Sequence, residues 1–246
     1  MASPGENIKQ RLGLIIVILA LEWPCIREPD ADEREEGFAK DGHVPPPRQI
    51  ALIQPIEAAA KLVRERGRLM QQAVPAGTGA MAAVLGSEDT LVAEVCAAVS
   101  GDEVVVPANY NSPGQVVIGG HAAAVDRALA ELAARGVRKA VKLAVSVPSH
   151  TPLMREAANR LSEVMAGLSW QAPSLPVVQN VDAKVHDGVD AIRDALVRQL
   201  YLPVRWTECV QVLASQGATR IAECGPGKVL AGLVKRIDKG LDARAI

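Results

Sequence analysis

Apolar and polar positions along this chain follow two regimes that meet near residue 55. Beyond that point, short apolar runs alternate with amphipathic stretches. Ala58 to Gln72 carries Ala, Leu, Arg and Glu at helical spacing. Gly77-Thr78-Gly79 breaks the pattern, and Ala80 to Leu85 then predicts a short buried strand. Glu88 to Val99 predicts an amphipathic helix with Ser87 as its N-cap. Glu103 to Ala108 and Gln115 to Ile118 predict strands around an Asn-Ser-Pro-Gly turn. Ala122 to Ala134 predicts a helix closed by Gly136, and Ala140 to Val145 a further strand.

The resulting order of strand, helix, strand, strand, helix, strand is that of a ferredoxin-like subdomain over about residues 77–145. Further on, Pro152 to Leu168, Ala191 to Leu200, Val204 to Gln216 and Val229 to Asp238 predict helices, with strands at Leu175 to Val178 and Arg220 to Glu223. Strands that alternate with helices belong to a parallel sheet. The expected class is therefore α/β. Residues 56–76 and 146–246 would form a large domain that carries the smaller one at 77–145.

The first 55 residues read differently. Leu12 to Leu21 is an unbroken apolar run behind Lys9 and Arg11. It is shorter than the roughly 20 residues that cross a bilayer. It has the length and flank of a signal h-region, yet Glu22, Trp23 and Pro24 follow with no small-residue cleavage site. A buried strand fits it equally well. Arg27 to Lys40 is dense in charge, and Pro45-Pro46-Pro47 imposes an extended conformation that stops any helix. This segment stays unassigned.

Composition narrows the function. Hydrophobic residues make up 49% of the 246, enough for a sizeable core, and the net charge is -1. With no basic footprint and only 2% aromatic residues, neither a nucleic-acid surface nor a base-stacking platform is expected. Cys25, Cys96, Cys209 and Cys224 are scattered without a CxxC pair. They are expected to be free thiols in a reducing cytoplasm, with no metal site and no cofactor.

Several motifs occur in a fixed order. They are Arg66-Gly67-Arg68-Leu69-Met70, Pro75-Ala76-Gly77-Thr78-Gly79-Ala80-Met81 and Asn109-Tyr110-Asn111-Ser112-Pro113-Gly114-Gln115. Val147-Pro148-Ser149-His150, Val197-Arg198-Gln199-Leu200-Tyr201 and Glu223-Cys224-Gly225-Pro226-Gly227-Lys228 follow. Together, over about residues 57–240, they resemble the bacterial malonyl-CoA:acyl-carrier-protein transacylases of type II fatty acid synthesis. That resemblance implies an α/β-hydrolase-like large domain with a ferredoxin-like small one. It also implies ping-pong transfer: a serine takes malonyl from malonyl-CoA and passes it to the phosphopantetheine thiol of acyl carrier protein. Malonyl-CoA and acyl carrier protein are then the expected partners, in the cytoplasm, with neither nucleic acid nor membrane involved.

The resemblance also implies roles. His150 would be the base that activates a serine hydroxyl, a poor nucleophile at its own pKa. By itself it reads as readily as a hydrogen-bonded structural histidine. Gln199 would supply the backbone carbonyl that fixes the imidazole tautomer. Arg66 would fork onto the free malonyl carboxylate, although its charged neighbours also suit a solvated helical face. Asn111 would line the cleft, or simply begin a turn. His121 and His186 read as structural or solvated. Gly225-Pro226-Gly227-Lys228 lacks the spacing of a phosphate loop.

The nucleophile is missing from the pattern. No Gly-x-Ser-x-Gly occurs anywhere in the sequence. Gly42-His43 is followed by Val44 and three prolines, which cannot build a nucleophile elbow. Ser112, Ser146 and Ser149 have no elbow around them, and the glycine-rich loop that lines the family's oxyanion hole is absent too. Two origins are consistent with this: a truncated or frame-disrupted transacylase, or a divergent protein that kept the carrier-binding face. Loss of a triad nucleophile lowers turnover by about 10⁶, so little activity is expected. The alternatives are a non-catalytic module that binds acyl carrier protein and an acyltransferase domain of polyketide-synthase type.

Overall fold

The computed structural model describes residues 56–173, 175–225 and 227–246. The apolar run at 12–21, Cys25, Gly42-His43, the three prolines and Pro226 lie outside the described residues.

Helix α1 spans Ile56–Gln72. Leu62, Arg66, Leu69 and Met70 follow the helical repeat, and all four are buried. After it comes a four-stranded sheet built from β1 (Gly79–Leu85), β2 (Val105–Ser112), β3 (Gln115–His121) and β4 (Lys139–Lys142). The strand order is β2-β3-β1-β4 and every pairing is antiparallel. Helices α2 (Asp89–Val99) and α3 (Ala122–Ala134) connect the strands.

Alternation along the strands sorts the two faces. Ala80, Ala82, Val84, Val116 and Ile118 point to the helices, meeting Val92, Val95, Val125 and Leu132 in one core. Each fully buried Val or Leu there contributes about 1.5–3 kcal/mol. The opposite face carries Met81 and Val117, with Ala108 and Val145 around them.

Helix α3 ends as expected. Gly136 has φ 87°, its N–H bonds the Ala133 carbonyl, and Val137 N–H bonds that of Leu132. This is a Schellman closure, and the left-handed residue favours glycine. Helix α2 differs from expectation. It begins at Asp89, and its N-cap is Glu88 without a side-chain cap bond, not Ser87. The Asp89 carboxylate instead accepts Gly114 N–H at 3.3 Å, so the first turn is spent on holding the β2–β3 connection.

Beyond the sheet, a 3₁₀ turn at Pro152–Met154 leads into α4 (Arg155–Ala166). A short hairpin of β5 (Val178–Gln179) and β6 (Lys184–Val185) precedes α5 (Val189–Arg198) and α6 (Trp206–Ser215). The expected strand at 175–178 shrinks to two residues, because Pro176 has no N–H for a ladder. It pairs antiparallel with β6 rather than joining a parallel sheet. Parallel pairing occurs where β7 (Arg220–Glu223) crosses through α7 (Val229–Ile237) to β8 (Asp242–Ala245).

Two further cores hold this part. Leu62, Leu69 and Met70 of α1 pack with Met154, Leu161 and Met165 around α4, and with Ile192 and Leu200 around α5. Val204, Trp206, Val210, Ile221, Val234 and Ala243 form the other.

Candidate active site

His150 sits in a tight loop. Ser149 N–H bonds the Val147 carbonyl at 2.9 Å, and the Thr151 hydroxyl donates to the Pro148 carbonyl at 2.7 Å. Within this loop His150 adopts φ 61°, one of two non-glycine residues among those described with positive φ. Such a conformation is strained by about 1–3 kcal/mol and persists only when its surroundings impose it.

The surroundings are visible. His150 is 3% exposed. Its backbone N–H donates to the Leu200 carbonyl at 3.0 Å, and its Nδ1 lies 2.6 Å from the Gln199 carbonyl oxygen. A carbonyl can only accept, so Nδ1 carries the proton and Nε2 is the basic nitrogen of the neutral ring. Gln199 is the C-cap of α5. Its carbonyl is one that the helix end leaves without an intrahelical partner, at the negative end of the macrodipole.

Glycines make room for the loop. A Cβ on Gly79 would lie 2.4 Å from Pro148 Cδ and 2.7 Å from the Ser146 carbonyl oxygen. A Cβ on Gly119 would lie 3.0 Å from Thr151 Cγ2. Both belong to the sheet face that carries Met81 and Val117. The small sheet thus presents a dent into which residues 146–151 settle.

Arg66 is buried on α1, on the face that packs with Met154 and Leu200. The reading of a solvated helical face is therefore corrected: the exposed, acid-paired arginine of this helix is Arg68, bonded to Glu65. A buried guanidinium stays charged, so its burial is tolerated where hydrogen bonds, an opposite charge or a bound anion match that charge.

Asn111 lies inside β2, not in a turn. The register of β2 against β3 shifts between Tyr110 and Ser112, which leaves Asn111 as the extra residue of a bulge. The turn proper is Pro113-Gly114, with Gly114 at φ 73°. The same strand reaches the other half of the site. Tyr110 N–H donates to the Val204 carbonyl and Val204 N–H to the Ala108 carbonyl, both at 2.8 Å. The structure therefore joins His150 to Gln199 directly. Arg66 lies on the buried side of α1, between Leu62 and Leu69, which pack in the core that contains Leu200, and Asn111 adjoins the contact to Val204.

Asp182 and Arg198 were not foreseen. Arg198 bonds Asp194 at 2.6 Å and Asp182 at 3.1 Å, and His186 bonds Asp182 at 3.0 Å. Burial alone would raise the Asp182 carboxyl, but bonds from Arg198 and His186 hold it below the usual 3.8. This network braces the end of α5 just before Gln199. His186 is thus a partly buried hydrogen-bond partner of Asp182, and His121 Nδ1 accepts Val104 N–H at 3.0 Å. Among the described residues, no helix is long and apolar enough to cross a membrane.

The chain matches the acyl transferase domain family over residues 49–242. It is 53% identical over 188 residues to the malonyl CoA-acyl carrier protein transacylase of Escherichia coli (strain K12), covering 76% of this chain and 61% of that protein. The crystal structure of the malonyl-CoA:acyl carrier protein transacylase from Xanthomonas oryzae pv. oryzae superposes with a TM-score of 0.77 at 75% identity, covering 78% of this chain and 62% of that one. A type II PKS acyl-carrier protein in complex with its malonyl-transacylase matches with a TM-score of 0.77 at 48% identity, covering 80% and 63%. The chain spans less than two thirds of the length of each of these relatives.

Proposed function

The chain belongs to the acyl transferase domain family, and from that premise we propose that it carries the histidine half of a site for malonyl transfer from coenzyme A to the phosphopantetheine thiol of acyl carrier protein. The observation that carries this reading is the 2.6 Å contact between His150 Nδ1 and the Gln199 carbonyl oxygen. It leaves Nε2 as the nitrogen that would take a proton from a serine hydroxyl or from the incoming thiol. Arg66 would fork onto the free carboxylate of malonyl, and Asn111 would position the acyl group from the bulge of β2. The names of the relatives support malonyl-CoA and acyl carrier protein as substrates, and the complex with a carrier protein supports the partner. Such a role belongs in the cytoplasm.

The domain reading is part of this proposal. Residues 77–145, with strand order β2-β3-β1-β4 and two helices on one face, fit a ferredoxin-like subdomain. Residues 56–76 and 146–246 fit part of an α/β-hydrolase-like large domain, and residues 1–55 stay unassigned.

The sequence contains no Gly-x-Ser-x-Gly. The proposal therefore includes that this chain alone transfers little or no malonyl. A second reading, a carrier-protein-binding module without turnover, is favoured by the same absence.

Intact-protein mass measurement after incubation with malonyl-CoA tests the reading. No adduct on folded chain is expected, together with capture of acyl carrier protein in a pull-down. A gain of one malonyl group would overturn the missing-nucleophile part, and peptide mapping would locate the acyl group. Neither adduct nor capture would overturn the whole reading. Arg66→Lys is expected to weaken malonyl-CoA binding about tenfold while sparing acetyl-CoA, since an ammonium lacks the planar fork. Equilibrium dialysis measures both.

A further inference from the structure

His150 and Gln199 lie on two chain segments that meet a second time. Arg155, the first residue of α4, places its guanidinium carbon 4.1 Å from the centroid of the Tyr201 ring. A cation this close to an aromatic face is held by the ring quadrupole. Tyr201 packs against the core of α1, α4 and α5, so its ring is a fixed platform. Among the described residues Arg155 has no ion pair, and Tyr201 is the one charge-attracting partner that the structure gives it. The other end of this short segment, Arg198, is tied to Asp182 of the preceding hairpin and to Asp194 of its own helix. Of these two arginines, Arg155 is the one whose contact joins this segment to the chain that follows His150.

We propose that Arg155 and Tyr201 are positioning residues that clamp the His150 loop onto the Gln199–Leu200 carbonyls. The clamp rests on the reading of His150 as the base, but it acts on the ring's geometry and is measured there. His150 holds a left-handed backbone and two bonds to consecutive carbonyls. Removal of the clamp takes away one restraint that holds this strained residue against those carbonyls. The Nδ1 contact then lengthens, and the ring's proton affinity changes with it.

The test is imidazole ¹⁵N–¹H NMR on the full chain, with the His150 signals assigned by their loss in His150→Asn. In Arg155→Ala and Tyr201→Leu, the His150 nitrogen shifts are expected to change and its apparent pKa to move by about half a unit or more. His121 and His186 should stay as in the parent. Arg155→Lys keeps a cation and Tyr201→Phe keeps the ring, so both should restore the parent titration. An unchanged His150 titration in Arg155→Ala overturns the proposal, as does a lower melting temperature with unchanged His150 signals. A malonyl adduct, or its absence, bears on the function of His150 and leaves this outcome independent.

Discussion

The Nδ1 atom of His150 is held 2.6 Å from the carbonyl oxygen of Gln199, which belongs to the main chain and not to the side-chain amide. The contact should therefore survive truncation of the Gln199 side chain. Gln199→Ala is expected to keep the Nδ1-protonated tautomer, read from imidazole ¹⁵N shifts. Because Gln199 is buried, the same substitution is expected to lower stability by about 1 kcal/mol. A switch to the Nε2-protonated form would show that the side chain, not the carbonyl, sets the tautomer.

Two glycines should respond in opposite directions to one added methyl. Gly79→Ala forces a carbon against Pro148 and the Ser146 carbonyl. It is expected to lower stability by about 1–3 kcal/mol. Gly67, in the middle of α1, has nothing within 4 Å of its Cβ position. Gly67→Ala is expected to raise stability by about 0.5–1 kcal/mol through helix propensity. Urea midpoints of the two variants provide the comparison.

Acid should loosen the end of α5. The folded-state carboxyl of Asp182 lies below the usual 3.8 because Arg198 and His186 bond it against the opposing effect of burial. A depressed carboxylate stabilises the fold above its unfolded pKa, and that stability is lost as pH falls below about 4 through the folded value. The urea midpoint is expected to drop between pH 5 and pH 3. In Asp182→Asn, the pH 5 midpoint should be lower and the drop shallower. An equal drop in both proteins would place the acid sensitivity elsewhere.

The cysteines should separate by reactivity. Burial pushes the thiols of Cys96 and Cys209 up to about 12. Both stay protonated and inert at pH 8 in the folded chain. Cys224 is exposed. Alkylation at pH 8 followed by peptide mapping is expected to label Cys224 within minutes, and Cys96 and Cys209 only after denaturation.

Much of the small sheet was legible because its signals are local. The short apolar run of Ala80 to Leu85 and the Gly136 stop each depend on a few neighbours, and both lie where expected. Boundaries failed where a distant partner decided them. Asp89 starts α2 because Gly114 needs its carboxylate, and nothing near Ser87 announces that. Asn111 reads as a turn residue until the pairing with β3 reveals a bulge. Strands β6 and β8 are short and carry polar residues, and each exists only through its partner. In the candidate site, the pairing of His150 with Gln199 was legible only through ordered motifs, since no spacing rule joins them. Asp182 was missed because its partner Arg198 is 16 positions away and no motif contains both.

The connection between β2 and the chain beyond α5 has a kinetic consequence. Tyr110 and Thr207, linked through a hydroxyl at 3.2 Å, are 97 positions apart, and His150 and Gln199 are 49 apart. Closing loops of that length is entropically slow and comes after local structure. The setting of His150 is therefore expected to mature last when the chain folds and to dissolve first when the two halves separate. Its ring becomes a built-in gauge of whether the whole chain, and not merely its sheet, has reached the native arrangement.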